Sequence, residues 1–187
     1  MHVSQPTQFR AVWILLSLYL VTTGRSSSAT PVTHQCEYPP TPVATLQDIM
    51  VAEVDPSADA LWDAVAYVST LEGKQDHRPR SEEKWQALRR SAIVLIEATN
   101  LLKFRHRPVG AVSRPPASGE LNAAEIRRRV DSTRGSFDQF ADVLRSASMS
   151  ALTAIEKRSP NALFEAGAKI DTACEACHRA YWYPDQG

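Results

Sequence analysis

Between Ile126 and Ile155 the chain repeats apolar or small side chains in steps of three or four. The positions are Ile126, Val130, Thr133, Phe137, Phe140, Leu144, Ala147, Ala151 and Ile155. A strand repeats every two residues, so this seven-residue rhythm belongs to one face of a helix about thirty residues long. A stripe of that length is stable only when other helices cover it. Gly135 sits inside the rhythm and weakens it by about 1 kcal/mol relative to Ala.

Three further helical patterns supply the cover. The first spans about 45–71, with Leu46, Ile49, Met50, Leu61, Val65 and Val68 as its apolar positions. Asp55-Pro56 interrupts it, where an Asp N-cap followed by Pro predicts a kink or a restart. The second spans about 82–104 behind Ser81, with Trp85, Leu88, Ala92, Leu95, Thr99 and Leu102 inward. Residues 105–119 are a Pro- and Gly-containing loop. Asn122 and Glu125 then form a capping box that opens the third helix. Ser159-Pro160 opens the fourth, whose inner face reads Leu163, Gly167, Ile170, Cys174, Cys177 and Tyr181. Only 7 glycines are present and the 12 prolines cluster at the joints. No strand-type alternation competes, so the expected fold is all-α, an antiparallel four-helix bundle over residues 45–183.

The N-terminal 29 residues contain no acid. Arg10 precedes an apolar-leaning run of 11 residues, Ala11 to Val21, and small polar residues follow. That is the layout of a secretory signal, with cleavage expected after Ala29. The run is well short of the roughly 20 residues a spanning helix needs, which disfavours an uncleaved anchor. Residues 30–44 form a Pro-rich extended lead-in. The expected location is therefore the periplasm. Lys+Arg and Asp+Glu both number 21, and a chain with no net field is not expected to gather nucleic acid. Arg127, Arg128, Arg129 and Arg134 resemble a nucleic-acid patch in isolation, but consecutive residues fan around a helix and Asp131 interleaves, so they read as a solvated face.

Cys174-Glu175-Ala176-Cys177-His178 is C-x-x-C-H, the attachment motif of c-type haem. On a helix Cys174 and His178 share a face one turn apart, and Cys177 lies on the same side. Two thiols can then bond one edge of a porphyrin while the imidazole beside them reaches the iron. The composition predicts roughly 0.001 such motifs by chance, so coincidence is a poor explanation. A structural zinc site would need four ligands, and the remaining cysteine, Cys36, lies in the lead-in. A thioredoxin-type motif would need a preceding strand. A disulfide between these neighbours on a helix has poor geometry. The expected cofactor is one covalent haem c. A haem-free Cys/His metal or thiol redox protein is the remote alternative.

A four-helix pattern carrying Cys174-Glu175-Ala176-Cys177-His178-Arg179-Ala180-Tyr181 on its last helix resembles the cytochrome c prime family and its low-spin relatives. The resemblance spans about residues 43–183. It implies haem in the bundle core, His178 as proximal iron ligand, and either a vacant distal site or a methionine there. It also implies electron transfer or the binding of gases such as nitric oxide and carbon monoxide, often in homodimers formed through the first two helices. Members often place a base after the motif's aromatic, where this chain has Trp182.

Met50 is the one methionine of the first helix, and low-spin relatives use a methionine early in that helix. It is the candidate distal ligand, against the plain reading of a packed core residue. Ile49 or Leu46 at that place would leave a five-coordinate, gas-accessible iron. Met1 and Met149 lie elsewhere. His34, His77 and His106 sit in or beside loops and read as exposed histidines. Trp62 and Trp85 read as bundle packing, and Trp182 and Tyr183 as packing or a shield at a haem edge. The expected function is one-electron transfer with an unidentified redox partner. No catalytic acid–base or nucleophile arrangement is evident, so an enzyme is not expected.

Overall fold

The structure, a computed structural model, describes residues 41–70, 73–110 and 115–184, with the side chains of 67–76 outside that description. The signal segment, most of the lead-in, His34 and Cys36 lie outside the described residues. Residues 41–44 have no regular structure.

The first helical run joins α1 (Leu46–Ile49), a π-helical turn (Met50–Val54) and α2 (Asp55–Asp63). Thr45 and Asp48 cap it reciprocally: the Thr45 hydroxyl accepts from the Asp48 N–H at 3.0 Å, and the Thr45 N–H donates to the Asp48 carboxylate at 2.8 Å. The helix does not restart at Asp55, whose side chain caps nothing. Pro56 lacks an N–H and its ring crowds the carbonyl four residues back. The backbone absorbs this by widening, and the Asp55 N–H donates to the Met50 carbonyl five residues earlier.

The run ends at Asp63, short of the expected Leu71. A hairpin follows, with β1 (Tyr67–Thr70) antiparallel to β2 (Gly73–Asp76) and Tyr67 opposite Asp76. Tyr67-Val68-Ser69-Thr70 is rich in aromatic and β-branched residues, which favour a strand over a helix end. The spacing of Val65 and Val68 is compatible with either.

α3 (Glu82–Leu102) starts at Ser81, whose hydroxyl accepts from the Lys84 N–H at 3.3 Å. All six of its expected inner residues are buried. The long third pattern divides into α4 (Ala123–Ser132), opened by the expected Asn122/Glu125 capping box, and α5 (Arg134–Glu156). The break falls at Thr133 (φ −128°, ψ 38°). Both Ser132 and Thr133 turn their hydroxyls back onto the Arg129 carbonyl, at 3.0 and 2.8 Å, which also keeps the Thr133 N–H at 3.1 Å. α6 (Pro160–Tyr181) begins at the Ser159 cap, with Pro160 as its first residue.

Apart from the hairpin the fold is all-α. α5 packs on α6 and α3, and α2 packs on α3 and α6. They share one core in which Leu61, Leu95, Ile155, Leu163 and Ile170 are fully buried. Two buried hydroxyls are satisfied within their own helices: Thr99 donates to the Ile96 carbonyl and Ser148 to that of Leu144. Trp62 ties the first run to α6 by donating from Nε1 to the Gly167 carbonyl at 3.0 Å. A Cβ at Gly167 would stand 3.0 Å from the Trp62 ring, so glycine permits that approach. Trp62→Phe is expected to lower stability by about 1 kcal/mol, read from the midpoint of urea unfolding, because the partly buried indole hydrogen bond is lost.

The segment after α3 straps across the start of the first run. Its Pro108 and Val109 carbonyls accept from the Leu46 and Gln47 N–H groups, both at 2.8 Å, satisfying donors that a helix start leaves free. Buried Arg107 anchors the strap, donating to the carbonyls of Leu101 and Ala44. At the far end the Leu121 N–H donates to the Trp182 carbonyl at 2.8 Å, joining the strap to the end of α6.

Candidate functional site

The last turns of α6, the π turn of the first run, the strap, α4 and Phe137 of α5 line a half-open cavity of about 250 Å³. Met50, Cys177 and His178 all line it, with Leu46, Val109, Ile126 and Phe137 among its apolar walls. A smaller cavity adjoins it through the shared side chains Met50, Phe137, Cys177 and His178, and there Cys174 joins them. The fold therefore brings together the four residues the motif and the helical pattern single out. Two thiols and an imidazole come from one helix, and a thioether comes from another.

Burial governs the protonation of this group. It pushes the Cys174 thiol up to about 11, with the Asp55 and Asp171 charges adding to the effect. The Cys177 thiol is pushed up to about 12 by burial and then by Cys174. Burial lowers the His178 imidazole, opposed by the Asp55 and Glu175 charges. At neutral pH the site thus offers protonated thiols and a neutral imidazole with a lone pair free to bind metal. In protein prepared without any cofactor, alkylation of either thiol by iodoacetamide at pH 8 is expected to run at least about tenfold slower than for an ordinary cysteine, and to accelerate as pH rises toward 11.

Asp55 also lines the cavity, and the sequence alone did not single it out. Desolvation raises its carboxyl, while the nearby His178 works the other way. Counted along a regular α-helix, the fifth residue after Met50 falls on a different side. Val51, one turn before Asp55, lines the cavity too, and the π turn sets Met50 toward the same side.

Behind the imidazole the chain end forms an aromatic layer. The Trp182 ring meets His178 edge-on at 5.1 Å between centroids, and Tyr183 lies 5.9 Å away. The Tyr183 hydroxyl donates to Glu175 at 2.7 Å, and Arg179 Nε donates to the same carboxylate at 2.6 Å. These two bonds hold Glu175 below the ordinary carboxylate range. Tyr181 is buried edge-on against Phe137 and Phe140, with its hydroxyl 3.0 Å from that of Thr133.

His77 and His106 are both exposed, His106 in the left-handed region at φ 61°. Neither lines the cavity holding Cys177 and His178. Met149 is exposed on α5. Among the described residues no group of three or more His, Cys, Asp and Glu side chains is placed to hold a metal ion.

No family model, curated protein or solved structure matches the chain. Paired thiols one turn apart, with a neutral imidazole beside them and a thioether in the same apolar cavity, fit covalent haem c. The same set fits a dithiol catalyst poorly, because such a catalyst needs a lowered thiol pKa.

Proposed function

We propose that this chain is an exported c-type cytochrome of the antiparallel four-helix-bundle kind, working as a one-electron carrier in the periplasm. Cys174 and Cys177 would hold haem c through thioether bonds, His178 would bind the iron as proximal ligand, and Met50 would serve as the distal ligand. The observation that carries this reading is the common apolar cavity lined by Met50, Cys177 and His178, with Cys174 beside it. Bound there, the haem supplies a ferrous–ferric couple.

The chain's own residues set the conditions for that couple. The neutral imidazole of His178 is ready to donate its lone pair without first losing a proton. Leu46, Val109, Ile126 and Phe137 keep the surroundings apolar, which disfavours added positive charge and raises the potential. Asp55 works in the opposite sense, since a carboxylate favours the oxidised state. The cavity volume lies below the common range of about 300–1,000 Å³ for ligand sites.

Against a structural zinc site stands the lack of a multi-ligand cluster among the described residues. No helix of the described residues is long and apolar enough to cross a membrane. The test is the visible spectrum of the reduced protein with and without carbon monoxide. A low-spin spectrum that carbon monoxide leaves unchanged supports the carrier. A high-spin form that binds the gas replaces it with the gas-binding reading.

A further inference from the structure

We propose that the outer surface of α4 and the 103–107 turn docks the acidic face of a protein redox partner; this rests on the electron-carrier reading above. The net charge of the whole chain is zero, but its charges are segregated. Residues 103–134 hold eight Lys and Arg against three Asp and Glu. Residues 41–66, which contain the entire first helical run, hold Asp48, Glu53, Asp55, Asp59 and Asp63 and no Lys or Arg.

Part of this imbalance is paired off in the fold: Lys103 pairs with Asp142, Arg127 with Asp131 and Arg134 with Asp138. Each of the three acids in 103–134 is already engaged. Glu120 accepts from the Ala117 N–H, Glu125 from the Asn122 N–H, and Asp131 from Arg127 Nε at 2.7 Å. Arg105, Arg128 and Arg129 are exposed and make no ion pair among the described residues. The elements that carry them are held as one surface. Arg127 donates to the Arg107 carbonyl at 2.6 Å, and Arg134 donates to the Lys103 carbonyl.

Location turns this surface into a docking site for electron exchange. α4 presents Ala123 and Ile126 to the cavity that holds His178, while Arg128 and Arg129 face solvent. Arg128 lies on the side of α4 away from Ile126, about one helix diameter (~10 Å) from the cavity, and Arg129 lies on the flank of the helix. With an acidic helical run forming another wall of the same cavity, the molecule carries a charge asymmetry that orients an acidic partner before contact. Guanidinium groups also suit bidentate pairing with carboxylates. A protein face is favoured over a nucleic acid or a lipid surface because the basic area adjoins a redox site.

The experiment adsorbs the haem-loaded protein on gold coated with carboxylate-terminated or ammonium-terminated monolayers. Adsorbed mass is read with a quartz microbalance and faradaic current by voltammetry. Preferential adsorption with current on the carboxylate layer, lost at high salt, is expected. Arg128→Glu with Arg129→Glu should lower carboxylate coverage about tenfold at low salt, with the solution spectrum and midpoint potential unchanged. Equal or greater coverage on the ammonium layer, or full coverage by the charge-reversed variant, overturns the proposal. So does cosedimentation with phosphatidylglycerol vesicles, or retention on duplex DNA, at salt that abolishes carboxylate adsorption. A preparation without a haem spectrum would instead overturn the carrier reading, which keeps the two failures apart.

Discussion

Protein carrying Cys174→Ala and Cys177→Ala, matured in a host that attaches haem to c-type apoproteins, is expected to emerge with no covalent porphyrin. Its intact mass should equal that of the polypeptide, and acid–organic extraction should leave the protein colourless. Each single substitution should retain at most one thioether bond and yield a small fraction of coloured product. The substitutions themselves cost little packing, since a buried thiol behaves as a small apolar group. On the proposed reading the larger cost would be loss of the haem, whose binding would stabilise the folded state alone. A markedly lower thermal midpoint than that of the parent protein should follow. Full covalent loading of the double variant would contradict the assignment of these thiols.

Met50→Ala is expected to produce the second large change. Removing the thioether should convert a low-spin ferrous spectrum to a high-spin one, open the iron to carbon monoxide, and lower the midpoint potential. Met149→Ala serves as the control, because Met149 is exposed on α5 and should change none of these readings. An unchanged spectrum in Met50→Ala would remove methionine from the coordination and leave Met50 as part of the apolar wall.

Much of the helical framework was legible in the sequence because it follows from period and punctuation alone. The inner face of α3 is buried at every expected position, and the Ser81, Asn122 and Ser159 caps open their helices as expected. What escaped has local causes. Tyr67 to Thr70 continues an apolar pattern that two kinds of structure can use, so the hairpin was hidden behind a helical reading. The break at Thr133 coincides with hydroxyls that bond back to the Arg129 carbonyl, which a rhythm of apolar positions does not register. Asp55 follows the cavity-lining Val51 by one helical turn, a placement that a rhythm of apolar positions does not register.

The candidate site was more legible than its surroundings. Cys174, Cys177 and His178 announce themselves by spacing, and Met50 by its place on the first helical run. Their meeting with Met50 in one cavity depends on how the first run crosses α6, which no spacing within either segment reveals. The aromatic layer of Trp182 and Tyr183 behind His178 was left open between packing and shielding. The structure seats both rings against the imidazole. The charge asymmetry was masked by a zero total, because the acids of the first run and the arginines of α4 cancel in a sum but occupy different elements.

The most direct test of the central claim is intact mass spectrometry of the native protein, paired with its alkaline pyridine spectrum. The account predicts a polypeptide heavier by one haem that survives denaturation, with the split bands of a thioether-linked iron porphyrin. A colourless protein at the bare polypeptide mass, purified from a host that loads other c-type cytochromes, would contradict it.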